Sequence, residues 1–239
     1  MKFIKKTLKL GLIFSILGIL GIISLYVVAY FSPVLDIKNT GQYYIYDNDN
    51  SLLFQGSGNS KWVSLSDVSP YFIDAIISTE DKNFYKHNGF DYLRIIKTLF
   101  VNMKKGAIVG GASTISQQYV KNLYLDFDKT WERKWNELWL TLNVETHYSK
   151  DEILELYINT IYFGNGYYNI KDASEGYFGK TVDELTDGEC IMLAGIPNAP
   201  SVYNPKENPK LARERQRQVA DKMVEYGYLT EEEEKDILE

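Results

Sequence analysis

The sequence predicts one mainly α-helical domain carried on a single membrane-spanning helix. Three observations carry this reading. Residues 10–31 form an uncharged apolar stretch, helix-start signals recur from Ser69 onwards, and only one short stretch between them has β character. Residues 10–31 are dominated by Leu, Ile, Val, Phe and Gly. As a helix they span roughly 33 Å, enough to cross a hydrocarbon core of about 30 Å. Lys2, Lys5, Lys6 and Lys9 precede the stretch, so the positive-inside bias leaves residues 1–9 in the cytoplasm and everything after the helix outside. A cleaved signal peptide is the alternative. The apolar run exceeds the usual 7–15 residues and has no clear small-x-small cleavage site, which favours the anchor.

Residues 32–68 read as a stalk with a small β-hairpin. Gln42-Tyr-Tyr-Ile-Tyr46 and Ser51-Leu-Leu-Phe-Gln55 flank the turn-rich Asp47-Asn-Asp-Asn50. From 69 to 239 the signals are helical. Ser69-Pro70 pairs an N-cap with Pro at the first helical position, and Phe72, Ile73, Ile76 and Ile77 follow on one face. A second helix is expected from Asp91 to about Met103, burying Ile95 and Leu99. Lys104 to Gly111, with three glycines, reads as a mobile loop. Ser113 or Thr114 caps a third helix and Thr130 a fourth. In that fourth helix Trp131, Trp135, Leu138, Trp139 and Leu142 fall at i, i+4, i+7, i+8 and i+11, which predicts a buried stripe rather than a sugar-stacking platform. Ser149-x-x-Glu152, Thr186-x-x-Glu189 and Thr230-x-x-Glu233 are capping boxes for further helices, and another runs from Pro209 to about Tyr226.

Composition removes several function classes. A net charge of −6 without a basic tract argues against nucleic acid. The single Cys190, in an apolar run, excludes an internal disulfide and reads as a buried small hydrophobe. With only His87 and His147, no Cys/His zinc cluster is available.

Two places carry chemistry. Glu80 closes an apolar helix where it gives way to a polar, Gly-containing segment. Partial desolvation at such a place suits proton transfer, although a Glu-Asp pair ending a helix is more often simply solvated. Further on, glycines and small hydroxyl residues lead into a helix N-terminus, whose free N–H groups and dipole favour anions. Ser113, Thr114 and Gln117 can donate hydrogen bonds there, and Lys121 lies one turn beyond Gln117 on the same face. Taken alone, this would be an ordinary capped helix. Arg133, Lys134 and Glu137, within one helical turn, would by themselves read as a salt-bridged surface.

The order of these pieces changes the weighting. Ser78-Thr-Glu80-Asp81-Lys-Asn-Phe84-Tyr-Lys-His87-Asn-Gly89-Phe-Asp91 is followed by Gly110-Gly111-Ala-Ser113-Thr114-Ile-Ser116-Gln117-Gln118-Tyr-Val-Lys121-Asn122. Arg133-Lys134-Trp-Asn-Glu137 comes next, then Lys150-Asp-Glu-Ile-Leu-Glu155-Leu-Tyr157-Ile-Asn159 running on to Tyr177-Phe-Gly179-Lys180. From roughly Tyr43 to Tyr226 the chain resembles the glycosyltransferase domain of penicillin-binding proteins, glycosyltransferase family 51, in its single-activity form, the monofunctional peptidoglycan glycosyltransferase. The resemblance implies a lysozyme-like helical fold and polymerisation of lipid II into β-1,4 glycan strands, with inversion and release of lipid pyrophosphate. It implies a general base at Glu80 and a second essential carboxylate at Glu137, which assists the leaving group directly or through Mg²⁺ or another divalent cation. Asp81, Phe84, Ser113, Thr114, Gln117 and Gln118 fall in the family's substrate-site motifs, with Asp81 read as organising the site through hydrogen bonds and Phe84 and Gly89 as largely structural. Lys97, Lys121, Lys129, Arg133 and Lys134 would supply positive charge, Lys129 standing where an Arg is often found. Glu155 and Asn159 are expected to support the floor of the active site.

The implied partners are lipid II, the growing lipid-linked glycan, the lipid bilayer and other cell-wall synthesis proteins. Phe100, Val101 and Met103 beside Lys104 and Lys105 suit an interfacial surface, where the family has a membrane-dipping lobe. The implied location is a bacterial cell membrane crossed once. No Ser-x-x-Lys segment of penicilloyl type is present, so no transpeptidase activity is expected. Ala112, Ser116, Asn169 and Asp172 depart from the family pattern, and the last two fall in the acceptor-side wall. A lysozyme-like glycan hydrolase or lytic transglycosylase is the rival reading, and a non-catalytic cell-wall scaffold a third. The cationic apparatus from Ser113 to Lys121 and from Arg133 to Glu137 separates them, because a hydrolase has no pyrophosphate to bind.

Overall fold

The computed structural model describes residues 2–34, 42–46, 52–57, 62–107, 111–124 and 131–239. Among them the chain is mainly helical. An apolar helix, α1 (Lys2–Tyr30), is followed by a two-stranded antiparallel hairpin of β1 (Gln42–Tyr46) and β2 (Leu52–Ser57). The helices α2 (Pro70–Glu80), α3 (Tyr92–Lys105), α4 (Ile115–Tyr124), α5 (Trp131–His147) and α6 (Lys150–Ile158) follow. The remainder is α7 (Ile170–Phe178), α8 (Asp187–Gly195), α9 (Pro209–Glu225) and α10 (Glu231–Leu238). The Asp47–Asn50 turn, the Thr130 cap and Lys129 lie outside the described residues.

The caps behave as their sequences require. Ser69 accepts the Tyr71 N–H at the start of α2, and capping boxes open α6, α8 and α10. Each satisfies N–H groups that have no partner within the helix. Asn169 and Asp172 serve each other. Asn169 caps α7 by accepting the Asp172 N–H at 2.7 Å, and its amide donates to Asp172 Oδ2 at 2.9 Å. The chain between α6 and α7 turns sharply at Gly164 and Gly166, both with positive φ.

α2 lies at the centre, packed against α8 and α9. Phe72, Ile76 and Ile77 of α2 share one core with Tyr119 of α4, Leu154 and Tyr157 of α6, Cys190 and Leu193 of α8, and Val219 and Met223 of α9. Burying side chains of this size supplies about 1.5–3 kcal/mol each. Cys190 is free and buried, and desolvation pushes its thiol up to about 11.

A second, smaller core joins the anchor to the domain. Leu25, Tyr26 and Ala29 of α1 pack with Phe90, Ile95, Leu138, Trp139 and Leu142. Tyr26 Oη donates to the Asn88 carbonyl, Tyr30 stacks on His147 with ring centroids 6.4 Å apart, and Asn143 Nδ2 donates to the Pro33 carbonyl at 3.0 Å.

Two packing expectations fail. Trp131 is 92% exposed and Trp135 60% exposed. Only the later part of α5, from Glu137 on, meets α1 and the core, so Leu138 and Trp139 are partly buried and Leu142 fully, while the first two members are exposed. Leu99 is also exposed, because α3 touches the small core only at Ile95. The rest of α3 presents Leu93, Ile96, Leu99, Phe100 and Met103 outward.

Candidate active site

The site forms where the C-terminal end of α2 meets the N-terminal end of α4 and the middle of α5. Glu80 is the last residue of α2 and is buried. Its Oε2 accepts from Gln118 Nε2 at 2.8 Å, whereas its Oε1 is buried without a hydrogen-bond partner among the described residues. Such an oxygen is costly to leave unsatisfied, so it calls for an explanation. Gln118 is held from behind by the hydroxyl of the buried Tyr157, which donates to Gln118 Oε1 at 3.2 Å. Burial, with the nearby charges of Glu80 and Asp81, pushes the Tyr157 hydroxyl well above its ordinary range, so it remains a donor.

Asp81 works as a strut. It accepts the Ile115 N–H at 3.1 Å and His87 Nε2 at 3.0 and 3.1 Å. A carboxylate at the first turn of α4 is where the helix dipole favours one. Fully buried, Asp81 has no surface for a substrate, which corrects its place among the expected substrate contacts. Phe84, placed in a substrate-site motif but read as structural, has no such surface either. It is completely buried, edge-on to Tyr85 and beneath Lys150 Nζ at 4.5 Å, and belongs to the core.

Thr114 caps α4, accepting the Gln117 N–H at 3.2 Å and donating to the Gly89 carbonyl at 2.6 Å. Gln117 Oε1 reaches back to the Thr114 N–H at 3.2 Å, completing a reciprocal cap. The other end of that amide, Gln117 Nε2, lies 3.3 Å from Glu137 Oε1. Consecutive residues of α4 therefore hold the two glutamates, Gln118 on Glu80 and Gln117 on Glu137.

Glu137 is buried on α5. Lys134 Nζ donates to both of its oxygens, at 2.9 and 2.8 Å, and Arg133 Nη1 stands 3.8 Å from Oε2. Ser113 and Lys121 are exposed at the start and on the outer side of α4, and Lys97 is exposed on α3. Among the described residues no group of three His, Cys, Asp or Glu side chains is gathered to hold a metal. Glu137 fits a divalent cation poorly, since Lys134 would have to be displaced from its oxygens first. Glu155 and Asn159 do not support this site. Glu155 accepts from Trp62 Nε1 and the Leu65 N–H, and Asn159 binds both backbone groups of Val63, so the pair clamps residues 62–65 onto α6. That clamp also joins 62–68, assigned to the stalk from sequence, to the domain.

Sequence reasoning missed two cations. Arg94 Nη1 donates to the Glu80 carbonyl and stands 4.0 Å from Asp81 Oδ1. Its spacing three residues after the Asp91 cap was the available signal. Lys222 of α9 reaches the Thr79 carbonyl at 3.3 Å, and nothing local in the sequence connects it with Glu80.

The family described as "Transglycosylase" matches residues 49–224. Penicillin-binding protein 2D of Bacillus subtilis is 50% identical over 181 residues, 75% of this chain and 26% of that protein. A putative transglycosylase of Cupriavidus necator is 43% identical over 169 residues, 71% of this chain and 73% of that one. A crystal structure of penicillin-binding protein 1A from Haemophilus influenzae aligns over 83% of this chain and 20% of its own, with 26% identity and a TM-score of 0.45. This chain spans about a quarter of the length of the Bacillus relative.

Proposed function

Because this chain belongs to the transglycosylase family, whose pattern covers most of its length, we propose that it is a peptidoglycan glycosyltransferase that polymerises lipid II. One observation carries the reading: two buried glutamates are held by neighbouring glutamines of one helix, and among the described residues cations contact the carboxylate of Glu137 and not that of Glu80.

That asymmetry divides the labour. Glu80, through its unpaired Oε1, takes the proton from the acceptor's sugar 4-hydroxyl as that oxygen attacks the anomeric carbon of the lipid-linked donor. The bond to the diphosphate breaks, the new linkage is β-1,4 with inversion, and lipid pyrophosphate departs. Charge accumulates on the leaving group, and the cations around Glu137 stand ready for it. Lys134 and Arg133 hold the carboxylate, while the exposed Lys121 and Lys97 extend the positive charge towards which the diphosphate is drawn. Ser113 and the first turn of α4 offer hydrogen bonds to the same anion. A glycan hydrolase has no use for this second half of the site.

The apolar α1 and the outward side chains of α3 support a position at the bilayer surface, with the N-terminus cytoplasmic and the domain outside. Both substrates are lipids, so confinement to one surface replaces a search through solution. Incubating the full chain with labelled lipid II should yield polymer, and Glu80→Gln should reduce turnover by about 10²–10⁴-fold. A catalytically normal Glu80→Gln variant would remove the base and the proposal with it.

A further inference from the structure

Glu145 is a buried carboxylate that the proposed chemistry does not use. Its side chain is 2% exposed, and it lies on α5 about two turns, roughly 12 Å, beyond Glu137. A carboxylate removed from water in this way is costly unless it is paired and hydrogen-bonded. Both needs are met. Lys150, at the start of α6, donates to Glu145 Oε1 at 2.8 Å, and Ser116 of α4 donates its hydroxyl to the same oxygen. Lys150 Nζ also sits over the Phe84 ring, 4.5 Å from its centroid.

Side chains therefore join α4 to α5 at two places. Gln117 Nε2 lies 3.3 Å from Glu137 Oε1 at one, and Ser116 bonds Glu145 at the other. Between them, Thr141 of α5 donates to the Glu137 carbonyl at 2.6 Å. Gly89 rests directly on this part of α5. A Cβ there would lie 3.0 Å from Thr141 Cγ2 and 3.1 Å from Glu145 Cγ, at a φ of +87°. The carbonyl of the same glycine accepts the Thr114 hydroxyl, so the loop from the first block and the cap of α4 are seated side by side on Thr141 and Glu145.

Successive residues of an α-helix point about 100° apart. Gln117 and Gln118 can thus serve two different glutamates only when the first turn of α4 faces one way. The Ile115 N–H on Asp81 fixes where α4 begins, and the Ser116 bond fixes how that turn faces. We propose that Glu145 is a positioning residue which, through the Ser116 hydroxyl, sets the rotation of α4 and so brings Gln118 onto Glu80 and Gln117 onto Glu137 together. The inference rests on reading those two glutamates as the working carboxylates. Lys150 is the counter-charge that lets Glu145 stay buried; the hydrogen bond from Ser116 carries the positioning.

The test measures lipid II polymerisation by the full chain in detergent, with rates taken well below each variant's melting transition. Ser116→Ala should lower kcat by about tenfold, because a small displacement of groups around a reacting centre is costly. In a Gln118→Ala background the same change should cost less than about threefold, since the group it would displace is already gone. Glu145→Gln combined with Lys150→Met removes both charges and keeps an acceptor for the Ser116 hydroxyl, so kcat should stay within about threefold of the native chain. Normal turnover by Ser116→Ala overturns the proposal, as does an undiminished loss in the Gln118→Ala background. A paired variant that falls as far as Ser116→Ala overturns it too, by placing the effect in the ion pair. If the paired variant does not fold, Ser116→Ala in its two backgrounds decides alone. Failure of the base assignment is a separate result, seen as a Glu80→Gln variant that still polymerises. A dead Glu80→Gln beside a normal Ser116→Ala condemns only the role of Glu145.

Discussion

Gln118 donates to Glu80 at 2.8 Å only because its amide cannot turn round: the Tyr157 hydroxyl, 3.2 Å from Gln118 Oε1, holds the oxygen on the far side. A free amide could present either end to the carboxylate, and its oxygen would repel it. Tyr157→Phe removes the hydroxyl while keeping the ring in the core. Polymerisation should fall by about tenfold, with a stability loss of about 1 kcal/mol from the missing hydrogen bond. Thermal melting beside a lipid II assay checks both. Unchanged turnover would show that Gln118 is oriented by something else.

Lys134 separates stability from activity. Its side chain is 56% exposed although its ammonium contacts both Glu137 oxygens. An exposed partner contributes little to folding, so Lys134→Ala should change stability by less than about 1 kcal/mol. Turnover should nevertheless drop at least tenfold, because the leaving group loses a cation. A large fall in melting temperature with normal turnover would reverse this assignment.

Asp91 makes the α2–α3 corner sensitive to acid. Burial alone would raise its pKa, but the Asn83 amide, the Arg94 N–H and the charges of His87 and Arg94 outweigh burial and hold its carboxyl below the usual range. The unfolded chain takes up this proton first, near the ordinary value of about 3.9. Asp91 therefore contributes its full stability above that pH and loses it as pH falls through the lower, folded value. Asp91→Asn should melt lower than the native chain at pH 7, with the gap closing below about pH 4.

The outward face of α3 should bind lipid. Leu93, Phe100 and Met103 are each more than two-thirds exposed. Burying such side chains is worth roughly 1.5–3 kcal/mol apiece. Changing all three to Ser in a form lacking residues 1–31 should weaken partitioning into liposomes by at least tenfold, measured by sedimentation against the same form unmutated. Equal partitioning would leave α1 as the sole membrane attachment.

Local signals were legible in the sequence, and long-range ones were not. Ser69-Pro70, the capping boxes and the Thr114 cap are written within four residues each, and the structure follows them. The blocks holding Glu80, Gln117, Gln118 and Glu137 could be recognised because residue spacing survives in a linear text. What Trp131 and Leu99 would meet could not be read. A helical stripe shows which side chains share a face, not how far along the helix a neighbour extends. The roles of Glu155, Asn159 and Lys222 depend on contacts with residues 62–65 and Thr79, far away in the chain. Arg94 lay between these cases, visible as part of a capped helix but not as a ligand of the Glu80 carbonyl.

The seating of Tyr26, Ala29 and Tyr30 against Asn88, Leu142 and His147 makes the anchor something other than a leash. A leash lets its load wander; a bolted mast passes every lean to the deck. If α1 crosses a bilayer as proposed, the tilt of that helix passes to the loop carrying His87 and Asn88, and through the His87–Asp81 pair to the end of α2. On the proposed reading, bilayer thickness becomes a setting of the site.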